Sequence, residues 1–243
     1  MRFAILCGLV AAALVPGAPL RADMLAVPEE VRFDVSLRGL PVGTLRLGTT
    51  QAPGRYAATA RLETVGLARA LRDVRFEGTV QGVLRAGRLS PLRYAGDVHT
   101  GERGASTEMV WEGGVPRVLR STPARPAEPW HIDPADQAGT LDPMSVLLSV
   151  LSDVPADRAC RLDLPMFDGR RRAQVVLARE RARDDGLDCV GVFRRVAGYS
   201  DTDMAEQRDF PFRLSLASMG NGKLRVVALE VDGRFGTTRL RRQ

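Results

Sequence analysis

Histidine is nearly absent from this chain of 243 residues: His99 and His131 are the whole supply. General-base catalysis draws on histidine most often, and neither residue has a nucleophile and an orienting partner at recognisable spacing. A GxSxG elbow, an HExxH pair, an EF-hand, a phosphate-cradling glycine loop and a dinucleotide fingerprint are missing as well. No cofactor or metal site is therefore expected, and the chain reads as a non-enzyme. Long hydrophobic runs are also scarce, because no internal stretch reaches the roughly 18 apolar residues of a spanning helix. That excludes a polytopic helical membrane protein and leaves the mature chain without a transmembrane span. Lysine is all but missing, Lys223 standing alone among 35 basic residues. Such uniform use of arginine fits a GC-rich genome better than a demand for guanidinium at every site.

What is present is enough for a packed domain: 44% of residues are hydrophobic and 26% charged, outside the range of disordered or fibrous chains. The strongest local signal is at the N-terminus, where Arg2 precedes an apolar run from Phe3 to Val15 and a Pro16-Gly17-Ala18-Pro19 break. This pattern predicts a secretory signal peptide over residues 1–22, cleaved after Ala22 or, alternatively, after Ala18. Cys7 is too early, and Ile5 and Leu6 before it are too large, for a lipoprotein signal. Without the leader, 33 bases face 29 acids, too even a balance to argue for nucleic acid as a partner. Export to an oxidising space leaves two cysteines, and Cys160 with Cys189 reads as a structural disulfide.

From Glu30 the apolar period is two. Val31, Phe33, Val35 and Leu37 alternate with polar residues, and strands are predicted at 44–50, 55–64, 74–84, 89–98 and 106–112. Tyr56, Ala58 and Ala60 share one face of the third, and two alanines there leave room above the sheet. A short helix is expected over 66–73. Residues 115–136 contain Pro116, Pro123, Pro126, Pro129 and Pro134, too many for a central strand, and are read as an extended crossing. Strands resume at 161–167, 170–179, 187–196, 210–216, 223–231 and 234–240, with turns at Asp168-Gly169, Asn221-Gly222 and Asp232-Gly233. The fold class expected is all-β or β-dominated: one domain over 23–243, a curved antiparallel sheet or open β-barrel with two short helices.

The better helix runs from Pro143 to Ser152, with Asp142 as N-cap and Pro143 at the first position. Met144, Leu147, Leu148 and Leu151 form its apolar stripe. It reads as a cover for the core, with a movable lid over a cavity as the alternative. The run Arg170, Arg171, Arg172, Arg179, Arg181 and Arg183 reads as a wet sheet face, the alternative being a stripe for anionic lipid. Asp184, Asp185 and Asp188 are expected in a hairpin loop.

Asp142-Pro143-Met144-Ser145, Phe167-Asp168-Gly169-Arg170-Arg171, Cys189, Arg195-Val196-Ala197-Gly198-Tyr199 and Phe210-Pro211-Phe212-Arg213-Leu214, in that order, resemble a family of exported Gram-negative proteins known only as a domain of unknown function (DUF 3108). The resemblance implies a β-rich periplasmic domain and carries over no catalytic residue. The order of elements is also similar to that of periplasmic lipoprotein carriers, in which helices close a curved sheet over an apolar cavity. Two functions are expected. The first is binding of an apolar ligand, a lipid or lipidated segment, lined by Tyr56, Ala58, Ala60, Met144, Leu147, Leu148 and Leu151. The alternative is a cell-envelope structural or assembly factor that docks a protein partner, with the same residues as filled core.

Overall fold

The computed structural model describes residues 28–71, 73–101, 103–124, 128–233 and 236–243. The predicted leader lies outside them. The elements run β1 (Pro28–Leu37), β2 (Leu40–Ala52), β3 (Arg55–Thr64), α1 (Gly66–Leu71), β4 (Val74–Arg85), β5 (Arg88–Thr100), β6 (Gly104–Glu112) and β7 (Val115–Thr122). After a 3-10 turn at Pro134–Asp136 come α2 (Pro143–Leu151), β8 (Val154–Pro155), β9 (Leu162–Phe167), β10 (Arg172–Arg183), β11 (Gly186–Ala197), α3 (Asp201–Glu206), β12 (Asp209–Ser218), β13 (Lys223–Gly233) and β14 (Gly236–Arg242).

The strands form one antiparallel sheet in the order β7-β6-β5-β4-β3-β2-β1-β14-β13-β12-β11-β10-β9, with β8 paired to β13. Short turns between consecutive strands dictate this meander, and β1 meeting β14 joins its two halves. The β-dominated expectation holds. The sheet curls until its two edges face each other, and residues 139–141 stitch the gap. Gly139 N–H donates to Gly114 O at 3.0 Å, Leu141 N–H to Pro165 O at 2.8 Å, and Phe167 N–H to Leu141 O at 2.8 Å. Trp111 Nε1 donates to Thr140 O at 3.1 Å. The result is an open barrel.

Two expectations are corrected. Residues 115–122, read as a bare crossing, are the edge strand β7, pairing with β6. An edge strand has one side without a ladder partner, so Pro116 is tolerated there. Helix α3 was not anticipated. Ser200 caps it by accepting from Asp203 N–H at 3.1 Å, and six residues are too few for an apolar stripe to show. The two predicted helices are α1 and α2; of Leu67, Ala70 and Leu71, expected on one side of α1, Ala70 is exposed and the side chains of the other two lie outside what is described. Among the described residues no helix is long and apolar enough to cross a membrane.

Helix α2 lies inside the curl, against β3, β4, β5 and β9. Six of its nine residues are buried: Met144, Ser145, Val146, Leu148, Val150 and Leu151. The strands make room for it with one cross-strand row of small inward residues, Ala60 opposite Gly78, Gly78 opposite Gly96 and Gly96 opposite Thr107. A Cβ on Gly78 would stand 2.7 Å from Met144 Sδ. Only glycine lets the backbone approach so closely.

Candidate functional site

All seven residues expected to line a ligand cavity come together, and they come together as packing. Tyr56, Ala58, Ala60, Met144, Leu148 and Leu151 belong to one buried cluster, with Leu147 partly buried against it. The room expected above Ala58 and Ala60 is occupied by α2 itself. Small side chains on the sheet signalled a cavity; they serve a helix that the chain supplies.

Both ends of α2 are pinned by polar groups. At its N-terminus Asp142 Oδ1 accepts from Met144 N–H at 2.8 Å and Ser145 N–H at 3.0 Å, the cap its position predicts. Ser145 Oγ–H donates to the second carboxylate oxygen. While the carboxyl is ionised that hydroxyl proton is committed, and Tyr56 donates to Ser145 Oγ, 2.7 Å away. Asp142 and Ser145 are fully buried. Burial pushes the Asp142 carboxyl up from 3.8 to about 6, with the hydrogen bonds from Ser145 and Met144 opposing the rise. Burial likewise raises the phenols of Tyr56 and Tyr94, with Asp142 adding to both. A serine hydrogen-bonded to a carboxylate has the parts of a nucleophile. Ser145 is 0% exposed, and here these parts hold the start of the helix.

At the other end Asp153, two residues past α2, accepts from Arg225 Nη2 at 2.6 Å and Arg242 Nη1 at 3.3 Å. Arg242 also meets Glu29 at 3.3 Å. A pocket of about 310 Å³ opens beside this network, between Val31, Leu47, Thr49 and Leu151 and a rim of Glu29, Lys223 and Arg242. These partners were invisible in sequence, since Asp153 and Arg242 lie 89 positions apart. Ser145 was findable, three residues after the cap.

The remaining motifs meet at the seam of the barrel. Asp168 Oδ1 accepts from Arg170 and Arg171 N–H at 2.9 and 2.8 Å and shapes the β9–β10 turn. Arg170 reaches across the gap to Ser121 Oγ and Pro123 O. Arg171 and Arg195 bracket the buried Tyr199 ring, each 5.1 Å from its centroid, and Arg195 also covers Phe210 at 4.9 Å. Gly198 has φ +84°, and a Cβ there would collide with the Arg170 carbonyl oxygen. This seam is a structural clasp.

Five of the six arginines of the basic run are engaged within the fold, and Arg179 is exposed. Arg172 donates to Gln137 Oε1 at 3.3 Å, Arg181 pairs with Asp188 at 3.0 Å, and Arg183 pairs with Asp188 at 3.2 Å. Asp188, expected in the hairpin loop, lies in β11 instead, where Ser215 Oγ donates to it at 3.1 Å. His131 Nδ1 accepts from Glu128 N–H at 3.2 Å, and His99 lies in β5 opposite Arg75. Cys160 and Cys189 are bonded, with Cα atoms 5.5 Å apart, across the end of β10. Among the described residues no group of three His, Cys, Asp or Glu side chains is placed to hold a metal.

A family model described as "Protein of unknown function (DUF3108)" matches residues 32–193. That span holds the motifs at Asp142, Phe167 and Cys189; those at Arg195 and Phe210 fall beyond it. A crystal structure of a β-barrel-like protein of domain of unknown function DUF1849 from Brucella abortus is similar with a TM-score of 0.51 at 13% identity, covering 90% of this chain and 97% of that chain. At this identity the likeness is one of fold. No curated protein matches the chain.

Proposed function

For a chain that belongs to the DUF3108 family of proteins of unknown function, we propose a non-enzymatic role as an exported, periplasmic assembly or scaffold factor that docks a protein partner. The observation that carries this reading is the filled interior. The barrel's apolar concavity is taken by α2, tied at both ends, so the surface is left to do the binding. On the outer face of β10 to β12 the register sets Val176 against Val192, Ala178 against Val190 and Val192 against Pro211. Val176 and Val190 are 39% and 37% exposed. Contiguous apolar side chains on a wet sheet face are what a protein partner covers. The leader pattern supports export, and a disulfide suits an oxidising compartment.

A second reading, binding of a lipid or lipidated segment, is favoured by the 310 Å³ pocket, which reaches Val31, Leu47 and Leu151 beneath a charged rim. Its volume is at the small end of ligand sites, about 300 to 1,000 Å³. Native and denaturing mass spectrometry of the protein purified from a periplasm separates the two. A scaffold gives an assembly that resolves only into polypeptides on denaturation and that Val190→Glu reduces to the single chain. A small-molecule mass released on denaturation, and lost in Thr49→Trp, overturns that reading in favour of the second.

A further inference from the structure

The inward row Ala60, Gly78, Gly96 and Thr107 has a consequence on the opposite face. Where the backbone dips toward Met144, the outside of the sheet forms a trough of about 600 Å³ running across β2 to β6. Two outward rows make its walls. In one, the register runs Glu30, Gly48, Thr59, Thr79, Ala95, Glu108 and Arg120. In the other it runs Arg46, Arg61, Glu77 and Asp97, and the row continues past the trough to Arg32.

The second row is segregated by sign: three guanidinium groups stand side by side on β1 to β3 and two carboxylates on β4 and β5. Like charges directly opposite destabilise a sheet, so packing gives no reason for this order. The central pair closes on itself, Arg61 Nε to Glu77 Oε1 at 3.4 Å, and Arg120 likewise meets Glu108 at 3.2 Å. Among the described residues Arg46 and Asp97 have no ion-pair partner, and both are exposed. Glu30 stands near the cationic end and tempers it without a pair of its own.

We propose that this trough binds a short extended peptide with free ends, its carboxylate on Arg46 and its ammonium on Asp97. Three strand spacings separate these residues, about 14 Å at 4.8 Å each. An extended chain advances about 3.4 Å per residue, so four or five residues span the distance. The floor is the backbone of Ala60, Gly78 and Gly96, and the wall of Gly48, Thr59, Thr79 and Ala95 leaves room for small side chains and offers hydroxyls to the peptide backbone. A flat partner is excluded by the concavity, and a stacking sugar lacks an aromatic platform among the lining residues.

Titration calorimetry with tetra-alanine, its N-acetyl form and its C-terminal amide tests the assignment on the full mature protein. Saturable binding at one site is expected, about tenfold weaker for either blocked peptide, as for loss of one charge-assisted contact. Arg46→Ala should match the loss from the amide and leave nothing further for the amide to lose; Asp97→Asn should do the same for the acetyl form. Both positions are on the wet face, and circular dichroism checks that the variants remain folded. Absent binding, equal binding of all three peptides, or binding unchanged in both variants overturns the proposal. So does a dimer in sedimentation that Arg46→Glu dissociates, since a second copy would then own the trough.

Discussion

Replacing Asp142 with asparagine tests the account of α2 most directly. The substitution keeps an oxygen for the two capping N–H groups, turns the Ser145 bond round so that an N–H₂ group donates to Ser145 Oγ, and deletes the ionisation. In the folded protein burial holds the carboxyl at about 6 rather than 3.8. The protonated form is thus the one the fold prefers. Stability from this group is complete below pH 3.8 and is lost as the pH rises through 6, the reverse of an ion-paired carboxylate. A shift from 3.8 to about 6 corresponds to about 3 kcal/mol over the whole range, of which about 2 kcal/mol falls between pH 4.5 and pH 7.5. Exposed acids such as Asp209 and Asp203 titrate alike in parent and variant, so they cancel in the difference. Urea unfolding of both proteins at pH 4.5, 6.0 and 7.5 should show Asp142→Asn improving relative to the parent by about 2 kcal/mol across that window. A difference that stays constant with pH would mean that the carboxylate remains ionised in the fold, and would refute the assignment of burial as the dominant influence.

Two further substitutions probe the interior. Leu148 is 2% exposed, so Leu148→Ala should cost roughly 2 to 5 kcal/mol in urea unfolding; Leu148→Asp should unfold the whole protein, and a folded sheet with only α2 released would restore the lid reading. Labelling the denatured, unreduced mature protein should find no free thiol, and replacing Cys160 and Cys189 together with alanine should cost about 3.6 kcal/mol in the chain-entropy account of a roughly 30-residue loop; two labelled thiols would show that the bond does not form.

Strand positions, the α2 cap and stripe, the cysteine pair and the antiparallel meander were legible in sequence because each depends on local periodicity or short connections. Val31, Phe33 and Val35 point inward for the same reason that they alternate. The edge strand at Val115–Thr122 was hidden by its prolines, whose tolerance depends on which strand lacks a neighbour, and α3 was too short to carry a pattern. The meaning of the alanines was also undetermined. A row of small residues announces room beside a sheet without saying what fills it. Only the tertiary structure brings Met144 against Gly78, sets Asp153 between Arg225 and Arg242, and lays the arginine and carboxylate residues of several strands into one trough. These pairings join residues tens of positions apart, and they are decided by the curl of the sheet around its own helix, a property of the packing that no window of sequence contains.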